Sequence, residues 1–210
     1  YEIRPGDRYF VQNLFEELDS PGEWCLDYDT WTLYFWPPEP LEGKSIYAPI
    51  LQTAIEMTNC ANVAFQGFVI ECCDGTAVAL TDCNSCVISC STIRNAGNYE
   101  GSGVSVEGGA NNGVIGNDIY DIGAYGVYLS GGDSESLILA GNYAENNYIR
   151  HVGLVGRYAK GIELTGTGNR VSHNLIHDVP QSGVYIWGPK HILEYNLIRH
   201  TCLEGEDTGA

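Results

Sequence analysis

A two-part motif returns along most of residues 61–210, and this repetition constrains the fold more than any other feature of the chain. The first part is a polar or small residue, any residue, an aliphatic and, two positions on, a polar residue. It reads Gly67-Phe68-Val69 with Glu71, Ser91-Thr92-Ile93 with Asn95, and Asn117-Asp118-Ile119 with Asp121. It returns as Asn147-Tyr148-Ile149 with His151, Asn174-Leu175-Ile176 with Asp178, and Asn196-Leu197-Ile198 with His200. The second part follows as Ala77-Val78-Ala79-Leu80, Gly103-Val104-Ser105-Val106, Gly126-Val127-Tyr128-Leu129, Gly161-Ile162-Glu163-Leu164 and Gly183-Val184-Tyr185-Ile186, and begins again at Gly209-Ala210. Ala77 and the glycines that follow it are separated by 26, 23, 35, 22 and 26 residues. That period accommodates two or three short strands and tight turns.

Within each part, apolar residues alternate with period two, so Val127 and Leu129 face one side and Tyr128 the other. A single copy cannot bury its inner face, whereas stacked copies bury a continuous column. The fold predicted is therefore all-β, a right-handed parallel β-helix of about five to six coils over residues 61–210. Val104, Val127, Ile162 and Val184 should form one inward column. The recurrent asparagines suit turns that use left-handed conformations, and their amides can hydrogen-bond along the stack. The coil from Gly126 to Gly161 carries about ten extra residues, expected as a loop on one face. Leucine-rich repeats need a denser leucine code, and propellers a longer four-stranded period.

Residues 1–60 form a separate Trp-rich β segment. Glu23–Tyr28 and Thr32–Trp36 read as two strands of a hairpin, followed by turns at Pro37, Pro38 and Pro40. Its tryptophans could pack as a cap or hold a sugar ring. Tyr1 is not a Met and Ala210 falls within a motif, so the chain is expected to be part of a longer protein, with the helix truncated at its C-terminal end.

The formal net charge of −17, with only 10 scattered Lys and Arg, argues against nucleic acid as a partner, because phosphate binding needs clustered cations. No run of apolar residues is long enough to cross a membrane, and no signal peptide is visible. Of the eight cysteines, Cys83 and Cys86 have CxxC spacing, but without a second pair or a His at ligand spacing this is a weak zinc signal. The cysteines can be small buried apolar residues or structural disulfides; the bridge expected is among Cys60, Cys83 and Cys86. Eight cysteines also point to a secreted or periplasmic location.

Two stretches resemble secreted right-handed parallel β-helix proteins of the carbohydrate-active, glycoside hydrolase-like type. One is Leu18–Trp24 leading into Thr32–Pro38. The other is Asn174–Asp178, then Glu194-Tyr195-Asn196, then His200–Glu204 through Asp207-Thr208-Gly209-Ala210. The resemblance implies a partial domain whose functional face lies beside Asp207, and polysaccharide as the partner. It leaves the reaction open, since this scaffold hosts hydrolases, lyases, epimerases and binding proteins.

Several residues could carry chemistry. One outward row reads Ala79, Ser105, Tyr128, Glu163, Tyr185; a second, two residues on, reads Thr81, Glu107, Ser130, Thr165, Trp187. Tyr128, Tyr185 and Trp187 could wall a saccharide cleft, although exposed strands favour such residues in any case. Glycoside hydrolysis needs two carboxyls, about 5–5.5 Å apart when configuration is retained and about 6.5–9.5 Å when it is inverted. Asp207, Glu204 and Glu163 are the catalytic candidates, with Glu206 nearby. Asp207 is expected ~9.6 Å above Glu163, two coils away, so Glu204 with Asp207 is the easier pair. His177 and His200 are candidate substrate-binding residues. With His173 and His151 they gather near Asp178, which could orient a histidine as a base or satisfy a buried ring. Lyase or epimerase chemistry on acidic sugars would call on Lys160, Arg157 or Arg170. No cofactor and no metal is expected. The remaining reading is a non-catalytic extracellular structural or adhesive unit, self-associating end to end through open coil ends.

Overall fold

The computed structural model describes residues 5–6, 11, 13–204 and 209. The chain divides into two compact units, Tyr1–Tyr47 and Ala48–Ala210. In the first, a 3-10 turn at Phe15–Glu17 precedes an antiparallel hairpin of Trp24–Asp27 with Thr32–Phe35. The Asp27 carboxylate closes the hairpin turn by accepting from the Asp29 and Thr30 amides and from the Thr30 hydroxyl. The expected hairpin is present.

The second unit is a parallel β-solenoid of six coils, each contributing one strand to each of three six-stranded sheets. The first sheet comprises Ile55–Thr58, Val78–Thr81, Val104–Glu107, Val127–Leu129, Ile162–Leu164 and Val184–Ile186. The second comprises Ala64–Gln66, Val87–Ser89, Gly113–Ile115, Tyr143–Glu145, Arg170–Ser172 and Ile192–Glu194. The third comprises Val69–Cys73, Thr92–Ala96, Asp118–Ile122, Tyr148–Val152, Leu175–His177 and Leu197–Arg199. The first coil thus opens at Ile55, ahead of the expected residue 61.

Coils stack without slippage because each strand has one apolar column to bury. Val104, Val127, Ile162 and Val184 are direct partners and buried, as the alternation required. In the third sheet the inward column is Ile70, Ile93, Ile119, Ile149, Ile176 and Ile198, an unbroken stack of isoleucines whose β-branched side chains pack well on a pleated surface.

At the corner between the second and third sheets, Asn117, Asn147, Asn174 and Asn196 form an amide ladder. Each lower Nδ2 donates to the Oδ1 one coil above at 3.0 Å. The same Oδ1 atoms accept the backbone N–H of the asparagine below. A second ladder joins Asn112 to Asn142, which in turn donates its backbone N–H to Asn169. The stacked amides match expectation, but the turn assignment is corrected. The left-handed residue at this corner is the one before each ladder position: Gly67, Cys90, Gly116, Asn146, His173 and Tyr195. That residue makes the bend and leaves the asparagine itself free to aim its amide along the axis.

The recurring glycine has a different cause: space rather than backbone conformation. A Cβ on Gly126 would lie 2.7 Å from Ile149 Cγ2 and 2.5 Å from the Gly161 carbonyl oxygen; Gly103, Gly161 and Gly183 face Ile119, Ile176 and Ile198 in the same way. Gly126→Val is accordingly expected to destabilise the protein by about 3 kcal/mol or more, because both the isoleucine column and the next coil's backbone must move. A urea-unfolding midpoint indistinguishable from that of the parent sequence would contradict this account.

All eight cysteines are free thiols, so the expected bridge among Cys60, Cys83 and Cys86 is not formed. Cys83 and Cys86 are instead completely buried and point their thiols at backbone carbonyls, Cys83 at Met57 and Thr81 and Cys86 at Asn84. They act as small apolar core residues, and burial pushes the Cys83 thiol above its ordinary value. Among the described residues no helix is long and apolar enough to cross a membrane.

Candidate functional site

The outward residues of the first sheet form the expected row: Ser105, Tyr128, Glu163 and Tyr185 are direct partners in successive coils. What the row meets at its edge decides its chemistry. Lys160, in the turn entering the fifth coil, points its ammonium at Glu163, with Nζ 3.4 Å from Oε2. Both side chains are largely withdrawn from water, at 7% and 17% exposure. Lys160 Nζ also lies over three tyrosine rings, Tyr158 at 4.7 Å, Tyr185 at 4.9 Å and Tyr125 at 5.3 Å. Tyrosine faces stabilise a cation that has lost its water, and the carboxylate completes the enclosure. Burial raises the Tyr125 phenol above its usual value, and the Glu163 charge adds to the shift. Glu163 Oε2 is buried without a hydrogen-bond donor. The carboxylate thus lies between two tyrosines of the outward row, with one oxygen shielded from water beside the Lys160 ammonium. Tyr128 donates to or accepts from Thr165 at 3.1 Å, joining the two outward rows. Trp187 is exposed at the end of the second row.

The other expected acids are placed differently. Glu204 is exposed, and its Oε1 accepts from Arg157 at 2.8 Å, so this carboxylate is committed to an ion pair. Asp207 and Glu206 lie outside the described residues. His177 and His200 do not join the first-sheet row: His177 ends a third-sheet strand and His200 follows one, and no hydrogen bond, ion pair or ring contact links either to Tyr128, Glu163, Tyr185 or Trp187 among the described residues. The reason is geometric. The three sheets turn the chain through a closed circuit, so residues a few positions apart across a corner face different directions.

The histidines belong to a column of left-handed residues at the end of the third sheet: Cys72, Asn95, Asp121, His151, Asp178 and His200. Acid and imidazole alternate in its upper part. His151 lies 3.6 Å from Asp121 and 3.8 Å from Asp178, and His200 lies 3.4 Å from Asp178. His177 is buried beside them, its Nδ1 2.6 Å from Asp178 Oδ2 and its Nε2 2.9 Å from the Tyr148 hydroxyl. Asp178 thus satisfies the buried ring of His177, one of the two outcomes considered for it.

The His177 hydrogen bond, aided by the neighbouring imidazoles, holds the Asp178 carboxyl below its ordinary value. A depressed carboxyl contributes stability above its unfolded pKa, and that contribution is lost as pH falls through the folded one. Asp178→Asn should therefore flatten the acid limb of a melting-temperature profile below about pH 4, the ordinary carboxylate range, while changing the neutral region less. An unchanged acid limb would show that the pair does not contribute.

Sequence reasoning missed Tyr125, Tyr158 and Tyr148, and treated Lys160 only as a cation for acidic sugars. One signal was available: Ser102, Tyr125, Lys160 and Ser182 each precede a recurring glycine, and the Gly126 amide donates to the Lys160 carbonyl one coil on. They form a column of their own.

Six stacked parallel coils with polar and aromatic columns outside and aliphatic columns inside define a class of parallel β-solenoid. More specifically, the chain matches the family described as the right handed beta helix region over residues 53–186, more than half its length, and belongs to that family. No curated protein and no solved structure matched the chain.

Proposed function

We propose that the protein processes polysaccharide and hydrolyses glycosidic bonds on its first-sheet face. The observation that carries this reading is the Tyr128–Glu163–Tyr185 row, in which a carboxylate largely withdrawn from water lies between two aromatic platforms. Tyrosine faces stack on the apolar faces of sugar rings. A carboxylate paired with an ammonium fills the role of nucleophile or general base, so Glu163 takes that role, and Asp207 is the candidate for the proton donor. Such a protein meets its substrate outside the cytoplasm, in the secreted or periplasmic space. Incubation with a panel of neutral and acidic polysaccharides, scored by release of reducing ends, tests the proposal. Cleavage of at least one polymer is expected; neither cleavage nor binding of any of them would overturn it.

A further inference from the structure

We propose that the first unit carries a binding pocket for a neutral saccharide, between the Trp24–Asp27/Thr32–Phe35 hairpin and the segment of Asn13 and Phe15. All its residues belong to the first unit, so it is independent of the first-sheet reading.

A side-chain clamp builds the pocket. Asn13, in a left-handed conformation, uses its amide as a strand residue uses its backbone. Its Nδ2 donates to the Leu26 carbonyl at 2.9 Å, and its Oδ1 accepts the Leu26 N–H at 2.7 Å. The incoming segment is thereby fixed along the edge of the two-stranded sheet. Phe15 then meets Tyr34 edge to face, with ring centroids 4.8 Å apart. Beside them opens a cavity of about 430 Å³, walled by Phe15, Tyr28 and Tyr34 with Asp27 and Asp29 also in its lining. Sites for small ligands range over about 300–1,000 Å³ and combine apolar walls with a few polar groups.

The lining selects the ligand. Aromatic rings pack against the carbon-bound hydrogens of a sugar ring. The Asp27 carboxylate is committed to the hairpin turn, whereas the Asp29 carboxylate and the Tyr28 and Tyr34 hydroxyls make no hydrogen bond or ion pair among the described residues. Asp29 is therefore the acceptor left for the hydroxyls of a ligand, and a carboxylate accepts strong hydrogen bonds. Two carboxylates and no Lys, Arg or His line the cavity, which disfavours an acidic sugar. An ammonium is best held against ring faces, and Phe15 and Tyr34 meet at 76°, which leaves a slot rather than a cage. An uncharged ring with an apolar face and hydroxyls at its edge satisfies both conditions.

The turn supplies an independent observation. Trp31 has φ of 54°, a left-handed conformation that bulky residues rarely adopt and glycine adopts freely. Its indole is 76% exposed and stands edge to face with Tyr28 at 6.1 Å. A contact with a ligand accounts for a large exposed ring where glycine would relieve the backbone. Trp31 extends the Tyr28 wall beyond the cavity, so a second sugar residue has a platform. Of the tryptophans that could hold a sugar ring, Trp24 and Trp36 do not line the cavity.

Isothermal titration of the full chain with xylohexaose, mannohexaose and cellohexaose tests the proposal, with hexagalacturonate and a glucosamine hexamer as the charged counterparts. At least one neutral oligomer should bind, and both charged ones should bind more weakly. Tyr28→Ala and Asp29→Asn should each weaken neutral binding by about tenfold, with the unfolding midpoint unchanged because neither side chain holds the turn. Trp31→Gly should weaken binding without lowering the midpoint, the opposite of what a structural tryptophan would give. No binding of any neutral oligomer would overturn the proposal, as would undiminished affinity in Tyr28→Ala or Asp29→Asn, which would place the binding elsewhere. Tighter binding of either charged hexamer would overturn the ligand class. Reducing-end release from polysaccharide is a separate readout, so failure here and failure of the first-sheet reading are distinguishable.

Discussion

Glu163→Gln is expected to lower polysaccharide hydrolysis by several orders of magnitude, because the amide can neither attack an anomeric carbon nor take a proton from water. The same change removes the ion partner of Lys160, whose ammonium is left among tyrosine rings with little water. Breaking a withdrawn pair from one side costs about 3 kcal/mol, so lost activity alone would not separate chemistry from folding. The double variant Lys160→Met/Glu163→Gln makes the separation: it removes both charges and keeps the stem of the lysine. Its urea midpoint should recover most of the loss, while hydrolysis stays at the level of the single variant. Normal turnover in Glu163→Gln would remove this residue from the chemistry. Recovery of turnover in the double variant would show that the glutamate mattered only for stability.

Asn147→Ala is expected to cost about 4 kcal/mol, a large fraction of the stability of any domain. Asn147 Oδ1 accepts both the backbone N–H and the Nδ2 of Asn117, and its own Nδ2 donates to Val114 O at 2.8 Å and to Asn174 Oδ1 at 3.0 Å. All of this is buried, so no water replaces the lost partners, and each orphaned donor costs about 1–3 kcal/mol. Asn196→Ala, at the top of the same ladder and only partly buried, should cost distinctly less, since solvent reaches the last rung. Equal losses at the two positions, read from urea midpoints at constant m-value, would show that the ladder is not cooperative along the axis.

The sequence alone was sufficient for everything that follows from local period. Alternation with period two assigns each residue of Gly126-Val127-Tyr128-Leu129 to the inside or the outside, and the repeat aligns Tyr128 with Glu163 and Tyr185 because identical coils stack in register. The asparagine ladder was legible for the same reason: a polar residue recurring at a corner between aliphatic columns has only its own copies to bond with. Corners were not legible. Where a turn closes depends on its length and on which residue adopts the left-handed conformation, and that residue proved to be the neighbour of the asparagine rather than the asparagine. From those corners came the placement of Lys160 against Glu163, the separation of His177 and His200 from the tyrosine row, and the commitment of Glu204 to Arg157. The thiols show the same division. Spacing brings Cys60, Cys83 and Cys86 to one region, but Cys83 and Cys86 turn inward to fill the column between coils, and their thiols meet backbone carbonyls without forming a bridge. Period determines which column a residue joins; only the closed path of the chain in three dimensions decides which columns meet, because that depends on turns whose residues do not repeat.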